Sequence, residues 1–544
     1  GGGGGTAGDV EGSIIEEIDS LAEVVGYNIF GGTGAGAGKG GDGGDVTVNL
    51  HQGGSITTTG ANAHAIWVQS VGGGGGAAGW YGLGDDKAHD VIGSNGAEGK
   101  GGLAKVTVDG TIDVSGEGAH GIFVQSAAGG VSDFGSGGAE INVNGTITAR
   151  GKQSRAILVH TADTASKDSE MGVANITIGK DGYVRTTDEE AHSTIGILGG
   201  HSVYNDDHSI NLSNKLTNHG KLYSNAYVVQ TDGAHAFQLE NDGELHGRLD
   251  FGSTSTVRNA VTNLAGGTMF LGHSNLGTSE YSTFENSGTM KAGWTNDTRR
   301  SIITSGGTFT QTSTGTLLFD VSKDETKAGS FTLDFDKGGS LDGQLAFNFE
   351  GALSNGANGS FDVATLKAGD GSSFDTSKLG VRSGGAVAYT WSKANQSDGD
   401  HLTLGYTVDY SGDSTGATLS ENARGFGQYF AGVVGQSGGM TAEQREALDF
   451  LGVRILNAGD SRELAGVYEE QILEEAAMGV SKALSTTQAV HTLLQSCPVL
   501  DPTDPQGFYR QRDCAWFEAL GGKTHQDATS TKASSDESVY GFAG

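Results

Sequence analysis

Short runs in which apolar and polar residues alternate recur along most of this chain. Val46-Thr47-Val48, Val106-Thr107-Val108, Ile141-Asn142-Val143, Ile176-Thr177-Ile178 and Ile210-Asn211-Leu212 fill one slot of a repeat, at steps of 60, 35, 35 and 34 residues. Alternation over a few residues is the period of a half-buried strand, whose successive side chains point to opposite faces. Gly, Asn or Asp closes each run, and these residues accept the backbone of a sharp corner. A longer phrase repeats as well. AHAIWVQS from residue 63 returns as AHGIFVQS from residue 119, with six of eight positions identical. The first copy runs into five glycines at 72–76, and a Gly-rich insertion over 72–100 accounts for the long first step.

From about residue 215 the spacing tightens. Corners of the form Gly-x-apolar stand at Gly220-Lys221-Leu222, Gly243-Glu244-Leu245, Gly267-Thr268-Met269, Gly288-Thr289-Met290 and Gly307-Thr308-Phe309, at steps of 23, 24, 21 and 19. Asn218, Asn241 and Asn286 each stand two residues before the corner's glycine. A unit of this length, built of two or three short strands, matches one rung of a parallel β-solenoid. One rung cannot bury its apolar face alone, whereas stacked rungs, about 4.8 Å apart, bury a continuous core. The handedness of parallel crossovers predicts a right-handed coil. Disorder is the competing account for a chain with 95 Gly, but it would not hold Val/Ile pairs at a fixed period, and only three Pro are present.

The repeat array is expected over 1–320, opening with a Gly-rich stretch in which Ile14 to Val25 reads as a helix or a strand pair. Residues 321–410 keep the alternation, lose the period and gain aromatics, as in Phe331-Thr-Leu333-Asp-Phe335 and Leu345-Ala-Phe347-Asn-Phe349. They read as a cap, since the end of a solenoid has to be covered. Residues 411–513 change to helical spacing. Helices are expected over 419–434 and 440–495, with Leu448, Leu451, Ile455, Leu464, Val467, Tyr468, Ile472, Leu484, Leu493 and Leu494 on apolar faces and Thr441 with Gln444 as a capping box. Pro498, Pro502 and Pro505 then form a loop bracketed by the only two cysteines, Cys497 and Cys514. A disulfide there would stabilise by about 3 kcal/mol on the chain-entropy estimate, and two free thiols are the alternative. Residues 514–544 alternate large and small around a polar stretch, the weak signature of two transmembrane β-strands.

Net charge is −32, from 33 basic and 65 acidic residues, which argues against nucleic acid as a partner. No apolar run is long enough for a membrane helix. Two strands cannot close a barrel, and the opening pentaglycine resembles the tail of an upstream repeat unit, so a fragment cut at both ends is expected.

Taken in order, these parts resemble a type V secretion autotransporter: a Gly-rich β-helical passenger, an autochaperone-like C-terminal passenger segment, linker helices and the first strands of an outer-membrane β-barrel. VQS with its glycines at 68–76, GGDVTVN at 43–49 and SITTTGANAHAI at 55–66 resemble the long Gly-rich passengers of alphaproteobacterial autotransporters. CAWFEALGG from Cys514 resembles the family's barrel start. The resemblance implies a passenger that crosses the outer membrane C-terminus first, with no ATP, drawn by its own folding. It implies an outer-membrane location, the barrel-assembly machinery as partner, and host or cell-surface ligands. Release by cleavage at an Asn-Asn pair in the linker has no such pair here, Asn457 being followed by Ala, so the passenger is expected to stay attached.

Candidate chemistry is sparse. His64, His120, His192 and His235 each follow Ala, but no carboxylate or Cys keeps a fixed offset from them, so they read as corner residues and not as metal ligands. Gly40-Gly41-Asp42-Gly43-Gly44-Asp45 is similar to a Ca²⁺-binding RTX nonapeptide, a motif that works in tandem and here occurs once. Gly412-Asp413-Ser414 and Gly459-Asp460-Ser461 are similar to hydrolase serine motifs without a visible triad. No His-Glu-x-x-His helix and no Gly-Lys-Ser/Thr phosphate loop is present. No catalytic, cofactor or metal residue is assigned. The expected function is non-enzymatic adhesion or surface shielding; the alternatives are a β-helical enzyme acting on polysaccharide and a Ca-binding RTX-like solenoid.

Overall fold

The computed structural model describes residues 42–72, 99–127, 136–162, 172–188, 193–200, 202–292, 300–322, 327–369 and 371–471, with backbone alone for short strands at 75–76 and 92–93 and longer ones at 518–526 and 535–543. The chain is mostly strand with few helices. Its architecture is β-helix-like, with long parallel sheets of 11 and 21 strands.

The alternation builds the rungs directly. In Ala104–Val108, Ala104, Val106 and Val108 are buried while Lys105 and Thr107 face outward. Each run pairs in parallel with its counterpart a rung away, so identical side chains stack. Ile66, Ile122, Ile157 and Ile195 form one column of the core, and Val68, Val124, Val159 and Ile197 another. Full burial of such side chains stabilises by about 1.5–3 kcal/mol each. Along the 11-stranded sheet the column Val48, Val106, Ile141, Ile176, Leu216, Leu239, Val261, Phe284, Phe309, Gly339, Phe374 gives steps of 58, 35, 35, 40, 23, 22, 23, 25, 30 and 35 residues.

Three differences from the sequence reading follow from this register. The first step is 58, because Val48, not Val46, lies opposite Val106. Ile210-Asn211-Leu212 is outside the slot. It forms an antiparallel hairpin with Val203–Tyr204, and Leu216 takes the core position, which makes that step 40. Only Ile210-Asn211-Leu212 alternates in sequence, yet Leu216 is buried, whereas Asn211 and Leu212 are exposed. Gly307-Thr308-Phe309 belongs to the 11-stranded sheet, and Thr316-Leu317 stacks on Thr289-Met290 in its place. Its short step of 19 reflects a jump between sheets.

Stacking also continues past residue 321. Ser330–Phe335 pairs with both Arg300–Ser305 and the 364–368 part of the next strand. The rungs grow longer by inserted loops, so the period is stretched and not lost. The aromatics are interior: Phe284, Phe309, Phe335 and Phe374 contact in sequence at ring distances of 5.3, 5.5 and 6.5 Å.

The chain divides into two compact units, one of 1–348, 360–381 and 391–404, the other of 349–359, 382–390 and 405–544. The second holds helices α1 (Glu421–Gly435), α2 (Ala442–Leu456) and α3 (Ser461–Glu469), capped by Ser420, by the expected Thr441/Gln444 box and by Asp460. The helical pattern from 440 is therefore interrupted at Asn457–Asp460. Residues 472–517, which include Cys497, Cys514 and the three prolines, lie outside the described residues, as does Ile14 to Val25. Glu518–Gln526 and Ser535–Ala543 pair antiparallel along their whole length.

Candidate functional site

The repeated phrase proves to be a device for stacking rungs. Gln69 Nε2 donates to Gln125 Oε1 at 2.5 Å. Ser70 Oγ donates to Gly44 O and accepts from Gly102 N, both at 2.8 Å. One rung later Ser126 Oγ donates to Gly102 O at 2.8 Å and accepts from Gly137 N at 3.1 Å. Each serine thus ties a sheet to the neighbouring Gly-rich corner. The histidines act alike. His64 and His120 stack at 4.8 Å; His64 Nδ1 accepts from His120 N and His120 Nδ1 from Arg155 N, both at 3.0 Å. Burial pushes the His64 pKa down to about 4, so its ring is neutral and able to accept. His235 stands 3.5 Å from Asp232, away from that column. His192 lies outside the described residues.

The other motifs are held in structural bonds. Asp42 accepts from Lys100 N and Asp45 from Leu103 N, each at 2.8 Å, so both carboxylates face backbone amides of the adjoining rung. Ser414 donates to Asp409 through backbone and side chain at 2.6 Å, while Asp413 meets Arg424 at 3.3 Å. Asp460 caps α3, and Ser461 Oγ donates to Gly384 O. Among the described residues no group of three His, Cys, Asp or Glu is placed to hold a metal.

One outward-facing arrangement is not singled out by the sequence pattern. Arg185, Tyr223, His246, Phe270 and Lys291 lie directly opposite one another on five successive rungs of the 21-stranded sheet. All five are half-buried and point outward. Tyr223 and His246 rings are 5.7 Å apart, His246 and Phe270 stack at 3.8 Å, and Lys291 Nζ sits 5.0 Å from the Phe270 centroid. Arg185 lies over Tyr183 at 5.0 Å, and beside the ladder Arg248 lies over Tyr227 at 4.5 Å. Such contacts hold rings and cations in fixed poses, each worth roughly 0.5–1.5 kcal/mol. Lys291 pairs with Asp320 at 2.9 Å and Lys221 with Glu244 at 3.4 Å, whereas neither Arg185 nor Arg248 has a carboxylate partner among the described residues. Burial lowers the pKa of His246 against the opposing pull of Glu244, whose Oε1 is 2.6 Å from Nε2. The signal was legible: every ladder residue is the third after a corner glycine, Gly182, Gly220, Gly243, Gly267 or Gly288. The apolar residue marks the corner, and the outward position lies one residue beyond it.

A second titratable cluster is His401, bracketed by Asp362 at 2.5 Å and Asp398 at 2.9 Å, next to the Lys393–Asp400 pair at 2.7 Å. Asp362 foremost, then Asp398, holds His401 above the ordinary imidazole range.

No known protein family, curated protein or solved structure matches this chain.

Proposed function

We propose that this chain is a non-enzymatic surface protein of the autotransporter kind, whose right-handed β-helical passenger serves adhesion or shielding at the cell outer membrane. In this reading Glu518–Gln526 and Ser535–Ala543 are the first strands of the transmembrane barrel, inserted by the barrel-assembly machinery, and the rungs fold outside the cell and stay attached. The observation that carries it is the order of parts. Rungs stack in register from Val46 to Val381, helices α1–α3 follow, and a full-length antiparallel strand pair comes after them. Antiparallel strands of about nine residues are the length that a tilted strand needs to cross a bilayer. The singled-out motifs among the described residues also sit in rung-to-rung, turn and cap bonds, which suits a scaffold that displays a surface. The test is the reading frame on either side of the chain. A secretion signal upstream and a run of further alternating strands downstream are expected. A frame that continues with no such strands would sink the barrel reading and leave a secreted solenoid.

A further inference from the structure

We propose that the hairpin of Val203–Tyr204 and Ile210–Leu212 is an acid-released strap, held across neighbouring rungs while His208 at its tip is neutral and let go when that ring takes up a proton. The hairpin leaves the solenoid just before Asn214, yet its tip is fastened two and three rungs further on. Arg258, the residue before the strand Asn259–Asn263, donates through Nη1 to His208 O at 2.9 Å and through Nη2 to His208 Nδ1 at 3.0 Å. The same guanidinium lies over two rings, 4.2 Å from the centroid of Tyr204 and 4.8 Å from that of Tyr281, and the His208 ring stacks on Tyr281 at 4.3 Å. Tyr204 OH accepts from Arg258 N at 3.2 Å. The tip is shaped by its own bonds: Asp207 accepts from Ser209 N and Oγ, and His208 takes a left-handed φ of +70°.

The imidazole is the one member of this set that gains a charge in mildly acid solution. Arginine only donates, so the Nδ1 facing it has to accept, which requires a neutral ring with its proton on Nε2. A proton on Nδ1 removes that acceptor and sets a second cation 3.0 Å from a guanidinium that stays charged. The surrounding carboxylates do not offset this. Asp206 and Asp207 belong to the same turn and travel with the ring, so they favour neither the closed nor the open strap. Of the charged groups that the rungs present, Arg258 is in direct contact, whereas Glu280 is paired with Lys337 at 2.6 Å. Release frees the Arg258 edge and one face of the exposed Tyr281 on adjoining rungs, so the surface offered by this part of the solenoid changes with pH.

The experiment is hydrogen exchange of the purified 544-residue chain at about pH 7.5 and about pH 5.5, read by mass spectrometry with times scaled to the chemical exchange rate. Peptides over 202–212 report the strap, and peptides over 139–149 report the rungs. His208→Asn puts an uncharged amide oxygen where Nδ1 stands and tolerates the positive φ, while His208→Lys holds a positive charge there at both pH values. In the parent, strap protection should fall about tenfold on acidification while 139–149 stays unchanged. His208→Asn should stay protected at both pH values and His208→Lys should be weakly protected at both. Equal strap protection of the parent at the two pH values, a loss in His208→Asn as large as the parent's, or full protection of His208→Lys at the higher pH each overturns the inference. Weak protection of His208→Asn already at the higher pH would mean that ring stacking and not the acceptor holds the strap, and a parallel fall over 139–149 would trace the change to the rungs; either result overturns it too.

Discussion

Asn241 shows what a single residue does in this fold. Its side-chain amide accepts from Asn218 at 2.7 Å and donates to Asn263 at 2.8 Å, and Asn263 donates to Asn286 at 2.8 Å. All four are fully buried. The column they occupy runs Leu50, Val108, Val143, Ile178, then the four asparagines and Gln311, then Leu341. One position is thus filled by aliphatic or amide side chains, but amides have to come as a run. Asn241→Leu is expected to cost roughly 2–4 kcal/mol in denaturant unfolding, because it leaves neighbouring amides without partners, while Ile178→Leu should cost under about 1.5 kcal/mol. Part of this ladder is legible in the sequence, since Asn218, Asn241 and Asn286 precede a glycine by two. Asn263 is hidden because Leu264–Gly266 sets it four residues before Gly267. The structure also shows why His64 and His120 repeat: their rings accept backbone hydrogen bonds between rungs, a role that no spacing rule distinguishes from a ligand's.

Elements add constraints that single positions do not carry. The residues after 440 give helical spacing twice over: Leu448, Leu451 and Ile455 keep one face, and Leu464, Val467 and Tyr468 keep another, on the opposite side of a continuous helix. The chain breaks it at Asn457, whose side chain accepts from Phe349 N at 2.7 Å and donates to Phe349 O at 3.0 Å. That long-range clasp has no local signature. Asn457→Ala is expected to destabilise the second unit by about 1–3 kcal/mol, read as earlier loss of amide-exchange protection at Phe349 and in α2. In the strand Gly399–Val408, His401 holds Asp362 and Asp398 from adjoining segments of the first unit, with Lys393, Asp400 and Lys367 as the neighbouring charges. Its folded pKa lies above its free value of 6.5. Its stabilising contribution is therefore complete below pH 6.5, while the carboxylates stay ionised, and is lost as pH rises through the folded value. The gap in melting temperature between the parent and His401→Ala should be widest near pH 5.5–6.5 and close toward pH 9; a gap independent of pH would contradict this assignment.

At the scale of the whole molecule, the solenoid class was legible because a fixed period and strand alternation leave few other ways to bury the apolar positions. Exact register was not, because Ile210–Leu212 continues the alternation at the expected spacing while Leu216 stands alone among Asn, Lys and Thr, and only the inserted hairpin at 203–212 decides between them. The stretched rungs after residue 321 hid their membership of the same sheets for the same reason. Under the proposed function, these rungs are displayed outside the cell while Glu518–Gln526 and Ser535–Ala543 stay in the outer membrane. Protease treatment of intact cells expressing the complete gene tests it most directly, followed by immunoblotting with antibodies to residues 202–292 and 518–543. The rung epitope should be accessible on intact cells, and the strand-pair epitope should be retained in the outer-membrane fraction. A rung epitope that protease reaches only after lysis would contradict it.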